Sequence, residues 1–192
     1  MSDKIKKPAK GWAAVRRHLK AWDSSALLSL VKDLYESSPA NRAFLDARIR
    51  ADEGGEGALE PYRKRIVEQF FPARGEGKLQ LGEARKAIRE YRKATGNTEG
   101  VIELLTTYLE NGNEFTHQYG DIDERFYDSL CSAADELAKL LKGEGPSAYA
   151  KVRERFIAIA TKASGIGWGY GDHIDGVVDD LEDELAGDET MG

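Results

Sequence analysis

The sequence is poor in the residues from which many sites are built. It has one cysteine, Cys131, and three histidines, His18, His117 and His173. A single thiol excludes an intramolecular disulfide and any cysteine-rich zinc centre. The histidines stand far apart, and no HExxH pair is present. No apolar run approaches the roughly 18 residues that a membrane-spanning helix needs. No short segment alternates apolar and polar residues with β-branched enrichment, which argues against strands. Lys4, Lys6, Lys7 and Lys10 start the chain as a signal peptide would, but Arg16, Arg17, His18 and Lys20 interrupt the apolar stretch that should follow. The expectation is a cytoplasmic protein, and a lone thiol fits a reducing compartment.

What is present is a helical pattern with an uneven charge. The 192 residues are 41% hydrophobic and 32% charged, enough apolar material for a core and too much for wholesale disorder. The net charge of −6 hides a split. Residues 1–96 carry 21 Lys/Arg and 13 Asp/Glu, net +8, whereas residues 97–192 carry 7 and 21, net −14. Residues 163–192 have no Lys or Arg and nine acids. Such a segment can lie on the basic half of its own chain, meet a basic partner, or promote solubility.

Apolar residues recur at helical spacing along almost the whole chain. Trp12, Val15, Leu19 and Trp22 mark a first helix, ringed by Arg and Lys as in a membrane-surface or partner-binding helix, although docking on the protein's own core is the plainer role. Asp23 or Ser24 caps a second helix with Leu27, Leu30, Val31 and Leu34 inward. Ser38 followed by Pro39 starts a third, and the short link predicts an antiparallel hairpin of these two. Gly-rich 52–59 and 72–80 read as loops. Further helices are expected at about 59–71, 81–95 and from 97 or 98, the last broken or bent at Asn111-Gly112-Asn113. Asp121 is expected to cap a seventh helix whose stripe is Ile122, Phe126, Leu130, Ala134, Leu137 and Leu141. An eighth carries Tyr149, Val152, Phe156 and Ile159, and a ninth runs from about 172 to 185. The fold expected is all-α, about nine helices packed as αα-hairpins in an irregular bundle or short αα-superhelix, without a sheet. Residues 1–8 are expected to be a mobile basic tail, 9–186 one helical domain and 187–192 a disordered end.

Few motifs carry chemistry. Gly75-Glu76-Gly77-Lys78 resembles part of a phosphate loop, but Pro72 and Leu79 stand where Gly and Ser/Thr are required. His117, Asp121 and Asp123 are the nearest thing to a metal ligand set; the alternative is that the two acids serve the start of the seventh helix. A calcium loop from Asp121 fails at Arg125. In Gly165–Gly171, an extended chain would put Ile166, Trp168 and Tyr170 on one side, where Trp168 and Tyr170 could stack a ligand or plug a helix seam. Cys131 sits on an amphipathic helix as a small hydrophobe, and no Gly-x-Ser-x-Gly elbow occurs. No catalytic residue and no cofactor is indicated. The remaining signal is basic: Arg63, Lys64, Arg74, Lys78, Arg85, Arg89, Arg92 and Lys93 surround a Gly-rich loop. Arg85, Arg89 and Arg92 share a helix face, as phosphate binding would want.

Five segments taken together resemble a bacterial family of small proteins classed as a domain of unknown function. They are KDLYESSPANRAFL (32–45), FFPARGEGK (70–78), KAIREYRKATGNTEG (86–100), YGDIDERFYDSL (119–130) and SGIGWGYGD (164–172). The resemblance covers nearly the whole chain apart from its tails. It implies one whole-length domain and brings no activity or catalytic residue. The function expected is a non-enzymatic interaction or adaptor protein that meets another protein through charged helix faces. A nucleic-acid or phosphate-binding protein using the 63–93 surface is the alternative, and a metal-dependent enzyme at His117, Asp121 and Asp123 the third.

Overall fold

A computed structural model describes residues 11–52 and 57–186. The expected tails, 1–8 and 187–192, lie outside the described residues. Among the described residues there are nine α-helices and no strand, so the fold is all-α. The described residues divide after Leu45 into two compact units.

The first unit holds α1 (Trp12–Leu19), α2 (Ser24–Ser37) and the start of α3 (Pro39–Asp52). Asp23 caps α2, its carboxylate accepting the Ala26 N–H at 2.8 Å. Ser38 is extended, with φ −157° and ψ 148°, and its hydroxyl accepts the Asn41 N–H at 3.1 Å where α3 begins. The expected antiparallel hairpin is not what this produces. One linking residue is shorter than the about two to five that such a hairpin needs. The polar ties between α2 and α3 sit at the joint: Asn41 Nδ2 donates to the Leu34 carbonyl at 2.9 Å and to Ser37 Oγ at 3.0 Å. No residue of α1 or α2 is buried.

The second unit contains α4 (Glu60–Phe70), α5 (Leu81–Thr95), α6 (Thr98–Tyr119), α7 (Glu124–Glu144), α8 (Pro146–Ala163) and α9 (Tyr170–Leu181), which ends in a π-helical turn, Glu182–Ala186. It is an irregular bundle around α6, which packs against α4, α5, α7 and α8, while α9 covers α7 and α8. Helix α6 is buried over most of its circumference, as a central helix must be, with one acidic face of Glu103, Glu110 and Glu114. Val101, Leu104, Leu105, Tyr108 and Leu109 are all fully buried along it. An aromatic spine crosses the bundle. Phe70 of α4 lies 5.5 Å from Tyr108 and 6.4 Å from Phe126, Phe126 meets Tyr127 edge-on at 5.2 Å, and Tyr127 reaches Tyr170 of α9 at 5.5 Å. Rings of this kind bury large areas in fixed geometry. Gly96, at φ 65°, supplies the left-handed stop of α5 that the sequence predicts.

Asn111-Gly112-Asn113 does not break α6, contrary to its turn-like composition. Gly112 faces α7 so closely that a β-carbon there would stand 2.5 Å from Leu130 Cδ2. Asn113 is fully buried. Its Nδ2 donates to the Ile159 carbonyl at 2.7 Å, and its Oδ1 accepts the Tyr170 hydroxyl at 2.5 Å. Tertiary contacts with α7, α8 and α9 thus override local propensity. Replacing Asn113 by Ala leaves a buried phenol without its acceptor, so the Asn113→Ala protein is expected to lose about 2 kcal/mol in urea unfolding. Asn111→Ala, which removes a bond of Nδ2 to the Thr107 carbonyl on a half-buried turn, should lose less than about 1 kcal/mol. Equal losses at the two positions would contradict this division of roles.

Candidate functional site

The basic surface predicted at 63–93 is largely neutralised by the protein itself. Arg85 and Arg92, one face of α5, both reach Glu136 of α7, at 2.7 and 2.6 Å. Arg63 holds Glu60 at 3.0 Å and Glu103 at 2.9 Å, and Lys64 stands 3.8 Å from Glu68. Lys93 also has an interaction partner. Arg74, Lys78 and Arg89 are exposed and carry no ion pair among the described residues. The structure therefore brings Arg85 and Arg92 together, as their spacing predicts, but around a carboxylate of the acidic half.

The same logic runs through the acidic half. Arg155 of α8 grips Glu110 at 2.7 and 2.8 Å and Glu103 at 2.6 Å, and these carboxylates raise its pKa further above the ordinary arginine range. Glu103 and Glu110 are seven residues apart on one face of α6, a spacing that could have signalled a shared cation. Helix α9 packs on α7 and α8. Glu182 binds Arg153 at 2.7 and 2.6 Å and accepts the Tyr149 hydroxyl at 2.5 Å, while Glu184 meets Lys142. Asp172, Asp175, Asp179 and Asp180 face outward without an ion pair among the described residues.

The metal candidates each have other work. His117 Nε2 donates to the Lys162 carbonyl at 2.7 Å. Asp123, not Asp121, caps α7, accepting the Phe126 N–H at 2.9 Å. Asp121 accepts the Tyr127 hydroxyl at 2.6 Å and the Trp168 indole N–H at 3.0 Å. Among the described residues no group of three or more His, Cys, Asp or Glu side chains could hold an ion. The glycine-aromatic connector is turned rather than extended, because Gly165, Trp168 and Gly169 all take positive φ, at 80°, 60° and 69°. Trp168 and Tyr170 therefore part company. Tyr170 is fully buried on Asn113, and Trp168 stays 57% exposed. Neither this network nor the Asn113 hub has a local signal, since partners stand 47 and 57 residues away.

Cys131 is half-buried, and burial, then Asp135 and Asp128, push its thiol pKa up. A protonated thiol is a poor nucleophile. A cleft of about 340 Å³ opens beside the start of α6, lined by Tyr91, Asn97, Glu99, Ile102 and Lys151 among others. Glu99 and Lys151 pair across it at 2.6 Å, and Asn97 caps α6 through the Gly100 N–H, so its polar groups answer one another.

The exposed apolar surface is concentrated in the first unit. Trp12, Val15 and Trp22, expected to dock on the core, are exposed, and so are Leu27, Leu28, Val31 and Leu34 of α2. On a helical projection the α2 residues form one stripe with half-buried Leu30 and Tyr35. No protein-family model, curated protein or solved structure matches the chain. Its geometry alone carries the functional reading.

Burial pushes Tyr62 up to about 12, and burial likewise raises Tyr91, Tyr108, Tyr127, Tyr149 and Tyr170. Each phenol is held protonated, so its contribution to stability is complete below about pH 10 and vanishes as pH rises through the raised values. Phenolate absorbance from these tyrosines should therefore appear in one cooperative step with the loss of helical circular dichroism. Their ionisation near pH 10 with helices intact would contradict the raised values.

Proposed function

We propose that this chain is a non-enzymatic interaction protein. Helices α4 to α9 form a scaffold whose cations are mostly paired internally. The first unit presents the apolar face of α2 to a protein partner. The observation that carries this reading is the stripe Leu27, Leu28, Val31 and Leu34, four large apolar residues exposed on one short helix. Single exposed apolar residues are ordinary, but a contiguous stripe marks an interaction surface. The outward acids of α9, with Arg74, Lys78 and Arg89, supply charged faces that would orient the partner.

The resemblance to the bacterial family belongs to this proposal and contributes no activity to it. A cytoplasmic setting also belongs to it; among the described residues no helix is long and apolar enough to cross a membrane. The nucleic-acid reading of 63–93 is weaker, because Arg63, Arg85 and Arg92 already hold carboxylates at 3.0 Å or less.

Affinity capture with nuclease treatment tests the reading. The intact chain should retain a stoichiometric protein, and a Leu27→Asp, Val31→Asp variant of unchanged melting behaviour should retain at least about tenfold less of it. Equal retention by the variant, or recovery only of nuclease-sensitive material, would remove α2 as the contact surface.

A further inference from the structure

Helix α1 and the turn after it carry a different chemistry from α2. Within the helix, Trp12, Val15 and Leu19 fall within one arc, Arg16 flanks it and Arg17 lies opposite, while Lys20 and Trp22 follow in the turn after Leu19. Trp12 is 69% exposed, Val15 48% and Trp22 45%. The helix has no side-chain cap at its start and only eight residues. A helix this short gains little from its own hydrogen bonds in water and needs its apolar face covered.

The cations around this arc are also unspent. Arg16, Arg17 and Lys20 have no carboxylate partner among the described residues, whereas Arg63, Arg85, Arg92, Arg153 and Arg155 all have one. No Asp or Glu occurs in the sequence between Lys4 and Trp22. Residues 1–45 carry nine Lys/Arg and four Asp/Glu, and residues 46–192 carry 19 and 30. Positive charge and bare tryptophans thus coincide on one segment of an acidic protein.

We infer that residues 12–22 form an interfacial anchor that lies on an anionic phospholipid surface. Such a surface meets the arc and the cations at once. Tryptophan rings settle at headgroup level, the apolar arc enters the acyl boundary, and Arg and Lys meet the lipid charges. A nucleic acid would satisfy the cations and leave the apolar arc in water. The excess acid of residues 46–192 is repelled by the same surface, so contact is confined to the anchor. This inference does not depend on the role proposed for α2.

The test uses the full chain and vesicles of phosphatidylcholine with about 30% phosphatidylserine. The expected result is co-sedimentation with a blue shift of tryptophan emission. The shift should persist in Trp168→Phe, since Trp168 lies outside the anchor. Binding should fall at least about tenfold on pure phosphatidylcholine and in high salt. It should fall at least as far, roughly tenfold, in Arg16→Glu, Arg17→Glu, Lys20→Glu and, separately, in Trp12→Ala, Trp22→Ala. No buried residue is altered by either variant, and unchanged circular dichroism confirms their folding. Failure to bind the charged vesicles overturns the inference. So does binding that ignores the tryptophans, which would be charge attraction alone. Oligonucleotide binding lost in the Glu variant, without vesicle binding, would assign the segment to nucleic acid instead. Capture of a protein partner through α2 should survive both α1 variants, so the two readings fail separately.

Discussion

The second unit depends on the burial of α6. A helix surrounded by α4, α5, α7 and α8 must be apolar over most of its circumference, and its polar residues must find partners within the bundle. Thr106 returns its hydroxyl to the Ile102 carbonyl at 2.9 Å. Asn113 does more, because its amide joins α8 and α9 to α6 through one side chain. Gly112 sets the spacing to α7, and the rings of Phe70, Tyr108, Phe126 and Tyr127 fill the space that this spacing leaves. Loss of any one of these loosens several helices together.

Charge follows the same geometry. The halves of the sequence differ in sign, and the bundle brings them together where α4 and α5 face α6 and α7. Glu136 gathers two arginines of α5, and Glu103 is shared by Arg63 and Arg155. Each exposed pair contributes at most about 1 kcal/mol. Their larger effect is to withdraw cations from the surface, so that a chain polarised in sequence becomes a scaffold with few open charges on its basic side. The acids of α9 behave differently, pairing with Lys142 and Arg153 and leaving four aspartates outward.

Local rules foresaw what local physics decides. The caps at Asp23, Ser38 and Gly96 and the stripe of α7 follow from residue type and spacing. Distant contacts decide the rest. Asn-Gly-Asn reads as a turn until Leu130, Ile159 and Tyr170 are placed around it. Asp121 reads as a cap until Tyr127 and Trp168 claim it, leaving the cap to Asp123. The row Arg85, Arg89, Arg92 was legible as a face, but Glu136, 51 residues from Arg85, was not. The open apolar face of α2 was legible as a stripe, and its exposure was not, since periodicity cannot say what covers a stripe.

A closed bundle thus contrasts with an N-terminal unit whose apolar faces are exposed. Native-state hydrogen exchange of the free full-length protein measures that contrast directly. Amides of α6 should exchange only with global unfolding, and those of α1 and α2 at least about a thousandfold faster. Protection of α2 equal to that of α6 in the absence of any partner would contradict it.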